Sequence, residues 1–128
     1  MKVLLDTHIF LWLLFSPEKL SQTLVNAYQN RQNEIFLSHA SLWEMQIKLQ
    51  LGKLEFEIDL DDFVNEQINS EYIKLLPIHV NHILALKQLP FYHKDPFDRL
   101  LISQAIQENF TLASNDNVFS HYPVKLFY

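Results

Sequence analysis

Four short apolar runs, KVLLD at residues 2–6, EIFLS at 34–38, IKLLPI at 73–78 and FTLAS at 110–114, recur along the chain with helical stretches between them. Each is too short for a buried helix and reads as a strand covered on both faces. Strands of that kind alternating with helices predict an α/β domain with a mostly parallel sheet. A fifth run, VKLFY at 124–128, supplies a last strand after the turn NDNVF. At 128 residues, with no internal repeat and no linker rich in Gly or Ser, the chain is expected to form a single domain over 1–128.

The helical stretches have readable ends. THIFLWLLF follows the first strand directly, and SPEKLSQTLVNAYQN offers Ser16 as N-cap with Pro17 at the first helical position. HASLWEMQIKLQLGKL is expected to end near Gly52. DLDDFVNEQINSEY, HVNHILALKQL and RLLISQAIQEN complete the set. Residues 54–73 hold seven acids and no Lys or Arg, which fits a solvated helix face and acids favoured at a helix N-terminus.

Several chemistries are excluded by what is missing. There is no cysteine, so thiol catalysis, disulfides and cysteine–zinc sites are out, and a reducing cytoplasm is the expected compartment. Gly52 is the only glycine, which rules out a dinucleotide fingerprint and a P-loop. No serine stands in a nucleophile elbow. The apolar opening MKVLLDTHIFLWLLF is broken by Asp6 and His8, so neither a cleaved leader nor a membrane span is expected.

Open α/β sheets bind ligands beyond the carboxyl ends of their strands. Asp6 and Thr7 follow the first strand and Ser38 ends the second, with Glu44 in the first turns of the next helix. Asp95 and Asp98 open a later helix, and Ser114 and Asp116 follow the fourth strand. Each acid has a local explanation. Asp6 can cap the following helix, and Ser41 with Glu44 has capping-box spacing. Asp95 before Pro96 suits an N-cap with Asp98 in the first turn, and Asp116 suits a turn. Capping does not explain why acids from four separate elements are directed to one edge. Carboxylates brought together repel, and the usual resolution is a bound hard cation. Mg²⁺ or Mn²⁺ held there would activate water for attack on a phosphodiester.

The segments LLDTHIFLW, SLWEMQIKLQLGKL, HKDPFDRLLISQA and LASND resemble, in order and spacing, the motifs of PIN-domain proteins, and among them the VapC-type ribonuclease toxins of toxin–antitoxin modules. The resemblance runs from residue 2 to about 120. It implies a three-layer α/β/α sandwich and a metal site of Asp6, Glu44, Asp98 and Asp116, with Ser114 in place of a more usual threonine and Asp95 as a branch feature. It further implies Mg²⁺ or Mn²⁺ as cofactor, RNA as substrate, a homodimer, and a cognate antitoxin as inhibitor.

The formal net charge of −5 opposes a phosphate-binding role. Without Asp6, Glu44, Asp95, Asp98 and Asp116, however, ten acids balance ten Lys and Arg. The excess is thus largely the site itself. Lys48, Lys53, Lys94 and Arg99 flank the acids; the planar guanidinium of Arg99 is the leading phosphate contact, set against a salt bridge to a nearby acid. Thr7 and Ser38 either orient a metal-bound water or cap helices. His8 and His93 lie near the acids as packed neighbours or proton shuttles. His79 and His82 have ligand spacing but no carboxylate, which favours a structural role. Trp12 and Trp43 read as core or dimer contact. Two other functions fit less well: a non-catalytic binding module of the same fold, and a phosphatase using Asp6 as nucleophile, which lacks the second acid two residues on.

Overall fold

A computed structural model describes residues 1–56, 59–68 and 72–127. Five strands form one sheet: β1 (Lys2–Leu5), β2 (Glu34–Ser38), β3 (Ile73–Leu76), β4 (Thr111–Ala113) and β5 (Leu126–Phe127). Their order is β3-β2-β1-β4-β5 and every pairing is parallel, so the mostly parallel sheet expected from the sequence is wholly parallel among the described residues. β1 pairs with β2 on one side and β4 on the other, Leu4 lying opposite Phe36 and Leu112. The chain runs outward from β1 in both directions, and such a switch point opens a crevice at the carboxyl ends of the central strands.

Strand alternation divides the core in two. Val3, Leu5, Ile35 and Leu37 point to a layer filled by Ile9 and Phe10 of α1 (Thr7–Phe15), Leu24 of α2 (Gln22–Gln29), Met45 of α3 (His39–Gln50) and Phe63 of α4 (Leu60–Phe63). Leu4 and Leu112 point the other way, onto Leu100, Leu101, Ile102 and Ala105 of α6 (Pro96–Glu108). α5 (Val80–Leu84) packs beside α6 and buries His82. The result is the α/β/α sandwich that the sequence implied.

Some expected element ends are corrected. Ser16 does not cap the second helix: 17–19 form a separate 3₁₀ turn, and α2 starts at Gln22 with the Ser21 hydroxyl accepting from the Leu24 amide. HVNHILALKQL is helical only through Leu84 and tightens to 3₁₀ geometry over Ala85–Gln88. The acidic segment forms one α turn followed by a wider helical stretch, Val64–Ile68, and its expected end at 69–71 lies outside the described residues. Gly52 does close α3, at φ +72, and Asn109 closes α6 in the same left-handed region at φ 58.

Candidate active site

The carboxyl ends of β1 and β4 meet where Asp6 donates its amide to the Ala113 carbonyl at 3.0 Å. From there the Asp6 side chain caps α1, Oδ1 accepting from the Ile9 amide at 2.7 Å. It is 4% exposed. Burial pushes its carboxyl above the usual carboxylate range, and the Asp116 charge adds to this. Hydrogen bonds from Ser114 and the Ile9 amide, with the His8 charge, pull the other way. Ser114 also accepts the Asp116 amide at 3.1 Å, so one hydroxyl ties the two aspartates of adjacent strand ends together.

Glu44 arrives from α3. That helix is capped by Ser38, whose hydroxyl accepts from the Ala40 amide at 2.9 Å. Ser41 instead accepts from Thr7 Oγ1 at 2.8 Å, joining α3 to α1. The capping-box reading of Ser41 and Glu44 is therefore corrected: the helix starts at His39, before Ser41, and Glu44 lies beyond its first turn. Glu44 is 9% exposed; Oε2 pairs with Lys48 at 3.2 Å, while Oε1 is buried with no hydrogen-bond partner.

Asp95 and Asp98 divide their work along the first turn of α6. Asp95 Oδ1 accepts from the amides of Phe97 at 2.9 Å and Asp98 at 3.1 Å, satisfying two of the helix's orphan donors. With the cap supplied, the Asp98 carboxylate is left to face the other acids. It is pushed up to about 7, first by burial, then by the charges of Asp95, Asp6, Glu44 and Asp116. Asp116 caps the 3₁₀ turn Asn117–His121 through the Val118 amide at 3.1 Å and stands exposed at the rim.

These side chains line one cavity of about 360 Å³: Asp6, Glu44, Asp95, Asp98 and Asp116 share its wall with Thr7, His8, Leu11, Trp12, Lys48, Asn115 and Phe119. Among the described residues no three of its acids and histidines close into a ready ligand cage. The donor set nevertheless fits a hard divalent cation. It is all oxygen, one carboxylate oxygen is buried without a partner, and the burial and carboxylate repulsion that raise Asp98 are what a cation would offset. A larger hollow of about 760 Å³ lies off this edge, between the end of α3 and α4, and takes in none of these five acids.

Other expected residues fall elsewhere. Arg99 is not a phosphate contact. It is 6% exposed, donates to the carbonyls of Pro90 at 2.7 Å and Leu89 at 3.0 Å, and covers the Phe91 ring at 4.0 Å. Its salt-bridge alternative is also replaced, by carbonyl partners. Asp98 and Arg99 are consecutive, so the helix turns their side chains about 100° apart, and Arg99 is drawn to the Leu89 and Pro90 carbonyls. Lys48 is engaged by Glu44, and His82 is buried against Glu108 at 2.8 Å, as its structural reading required. Trp12 lines the cavity with His8 edge-on at 4.6 Å, so it is not solely a core residue. Asn115 and Tyr122 were not singled out in the sequence. Asn115 was discoverable from its place between Ser114 and Asp116; nothing local distinguishes Tyr122.

The PIN-domain sequence model matches residues 3–125. Among solved structures the chain is similar to VapBC2 from Rickettsia felis, determined bound to a promoter DNA fragment, at 20% identity and a TM-score of 0.73, covering 99% of this chain and 98% of that one. It is similar to DNA-bound VapBC from Salmonella typhimurium at 15% identity and a TM-score of 0.70, covering 99% and 97%. It is also similar to FitAcB from Neisseria gonorrhoeae at 17% identity and a TM-score of 0.68, covering 98% and 96%. No curated protein matches the sequence. At these identities the structural likeness speaks for the fold.

Proposed function

This chain belongs to the PIN-domain family, and from that premise we propose that it is a metal-dependent endoribonuclease, the toxin of a toxin–antitoxin module. The observation that carries the reading is the meeting of Asp6, Glu44, Asp98 and Asp116, from four separate elements, around one cavity where Glu44 Oε1 lacks a partner and Asp98 is pushed up to about 7. Local capping accounts for Asp6, Asp95 and Asp116 but not for Glu44 or Asp98. The likeness to VapBC and FitAcB structures supports the toxin assignment over other PIN-fold roles.

Asp6, Glu44, Asp98 and Asp116 would hold Mg²⁺ or Mn²⁺, which when bound polarises water and neutralises charge on the scissile phosphate. Ser114 and the Ile9 amide keep Asp6 in place, so its orientation does not depend on substrate. Asp98, pushed up to about 7 by burial and the neighbouring carboxylates in the free protein, is the ligand whose ionisation a bound cation would favour. Lys48, on the cavity wall and paired with Glu44, offers a cation to a phosphate oxygen. With so few basic groups on this wall, affinity for RNA is expected to rest on shape and unpaired bases.

An acidic cavity of this kind suits an inhibitor that inserts a basic side chain, and the partner we assign is an antitoxin using Arg or Lys in that way. We assign a homodimer on the family likeness, with exposed Val80, Ile83, Leu84, Phe91 and Tyr92 as the surface to test. Among the described residues no helix is long and apolar enough to cross a membrane, and the cytoplasm is the compartment we assign.

The test is purified protein on RNA with Mg²⁺ or Mn²⁺. Cleavage is expected, and EDTA or Asp6→Asn should abolish it. Cleavage that survives either would overturn the proposal. A non-catalytic binding module would leave the RNA intact and show no rise in melting temperature with millimolar Mn²⁺.

A further inference from the structure

His93 stands just before the acidic helix, and its ring nitrogens have two different fates. Nδ1 lies 2.8 Å from the Tyr122 hydroxyl. Nε2 is buried with no hydrogen-bond partner and is aimed at Asp98 Oδ2, 3.6 Å away. That separation is beyond hydrogen-bond reach but within a few tenths of an ångström of it.

The hydroxyl of Tyr122 decides which nitrogen carries the proton. Its oxygen faces two groups that can only donate, the His93 amide at 3.3 Å and Arg99 Nη1 at 3.4 Å. An arginine guanidinium keeps its protons at any relevant pH, and a backbone amide cannot accept. The one hydroxyl proton must therefore go to the remaining neighbour, Nδ1 of His93. Nδ1 becomes an acceptor, and the neutral ring bears its proton on Nε2, facing Asp98. Edge contact with Phe119 at 5.7 Å holds the ring plane. Arg99, clamped by backbone carbonyls, fixes the far end of the chain.

We propose that His93 is a positioning residue for Asp98: Tyr122 locks it as the Nε2–H tautomer, and it claims Oδ2 so that the other Asp98 oxygen is directed to the metal. This rests on the nuclease reading above and extends it. A carboxylate ligand commonly has its second oxygen held by a donor from the protein, and loss of such a donor typically costs ~10- to 100-fold in metal affinity. The separation of 3.6 Å is a few tenths of an ångström from hydrogen-bond distance, and apo sites often hold such bonds long.

Two measurements test it. In the metal-free protein, ¹⁵N–¹H correlation of the imidazoles, with the His93 signals assigned by their loss in His93→Gln, should show the Nε2–H tautomer, and Tyr122→Phe should shift those signals toward a tautomer mixture. In Mn²⁺ titrations well below each variant's melting temperature, His93→Leu should weaken binding by about tenfold or more, and Tyr122→Phe by less, in proportion to the Nε2–H population it loses. His93→Gln, which can still offer an N–H near the Nε2 position, should recover most of that loss. An Nδ1–H tautomer, or His93→Leu binding Mn²⁺ as wild type does, overturns the positioning role while leaving the nuclease reading intact. A wild-type protein that binds no Mn²⁺ overturns both. A purely structural His93 would lower the melting temperature in all three variants with no graded recovery of Mn²⁺ affinity in His93→Gln.

Discussion

The helix α6 buries polar groups in two directions, and the two sets are treated very differently. Towards α5 and the Leu89–Pro90 segment, the described buried groups are matched. Ser103 donates to the His82 carbonyl at 2.6 Å, Gln104 accepts from Ser38 at 2.6 Å and donates to the Pro77 carbonyl at 3.2 Å, and Arg99 holds the Pro90 and Leu89 carbonyls. Towards the carboxylate cavity, matching fails. Among the described residues the buried side-chain polar atoms without a partner are Glu44 Oε1 and His93 Nε2, and both are at that edge. Buried polarity alone therefore does not mark function here. The matched set joins elements together, whereas the unmatched set leaves a carboxylate oxygen and an imidazole nitrogen buried beside the candidate site.

The sharpest way to break this contrast is Asp98→Asn. Activity in the RNA assay is expected to fall by about 10²-fold or more, because a charged cation ligand is lost. Stability should move the other way. The Asp98 carboxyl goes from 3.8 to about 7 on folding, so the folded protein binds that proton more tightly than the unfolded chain does. Its contribution is most favourable below pH 3.8, declines as pH rises towards 7, and stays at its low level above that. With the side chain 25% exposed, the decline is of order 2–3 kcal/mol. Thermal melts from pH 4 to 8 should show wild-type stability dropping through this window more steeply than Asp98→Asn. Asp6, raised in the same direction, keeps some slope in both. A variant that is both inactive and less stable at pH 8 would place Asp98 with the matched set.

On the matched side the expected effect reverses. Arg99→Ala leaves carbonyls of Pro90 and Leu89 without their donor and opens a cavity beneath Phe91. A cost of about 3 kcal/mol follows, or roughly 10 °C in melting temperature for a chain of this size. Whatever protein remains folded should still bind Mn²⁺, weakened only by the loss of the Arg99 contact that helps fix Tyr122, since the guanidinium does not line the cavity. Calorimetry and Mn²⁺ titration at a temperature well below the lowered transition check the two halves separately.

This contrast was only partly legible in the sequence. Strand runs such as KVLLD and FTLAS carry their own signal because a strand buried on both faces must be apolar throughout, and the order of strands and helices then sets the sheet edge on which Asp6, Glu44, Asp98 and Asp116 meet. The direction of individual side chains did not follow. Arg99 reads as a site cation because it adjoins Asp98, yet one helical step separates a cavity wall from a carbonyl clamp. Ser41 and Glu44 match a capping box, but Ser38 starts the helix earlier, which releases Ser41 for the Thr7 hydroxyl and leaves Glu44 on the cavity wall. Tyr122 carries no sequence signal because its role depends on a loop that returns beneath His93.

The smallest effect tests where the two regions meet, at Asp95. Its carboxylate caps α6 through two amides, yet its charge is also the largest electrostatic contribution raising Asp98. Asn caps a helix about as well as Asp, whereas Ala does not. Asp95→Ala should therefore cost about 1 kcal/mol, and Asp95→Asn a few tenths at most. Both remove the charge, so both should lower the Asp98 pKa by the same amount, seen as the same displacement of the pH-dependent part of the melting curve. Substituting Asp95 thus has two separable effects: the stability belongs to the hydrogen-bond acceptor, the titration to the charge. If Asp95→Asn cuts RNA cleavage as deeply as Asp98→Asn does, Asp95 has been assigned to the wrong side of the helix start, and the cation is held by five carboxylates rather than four.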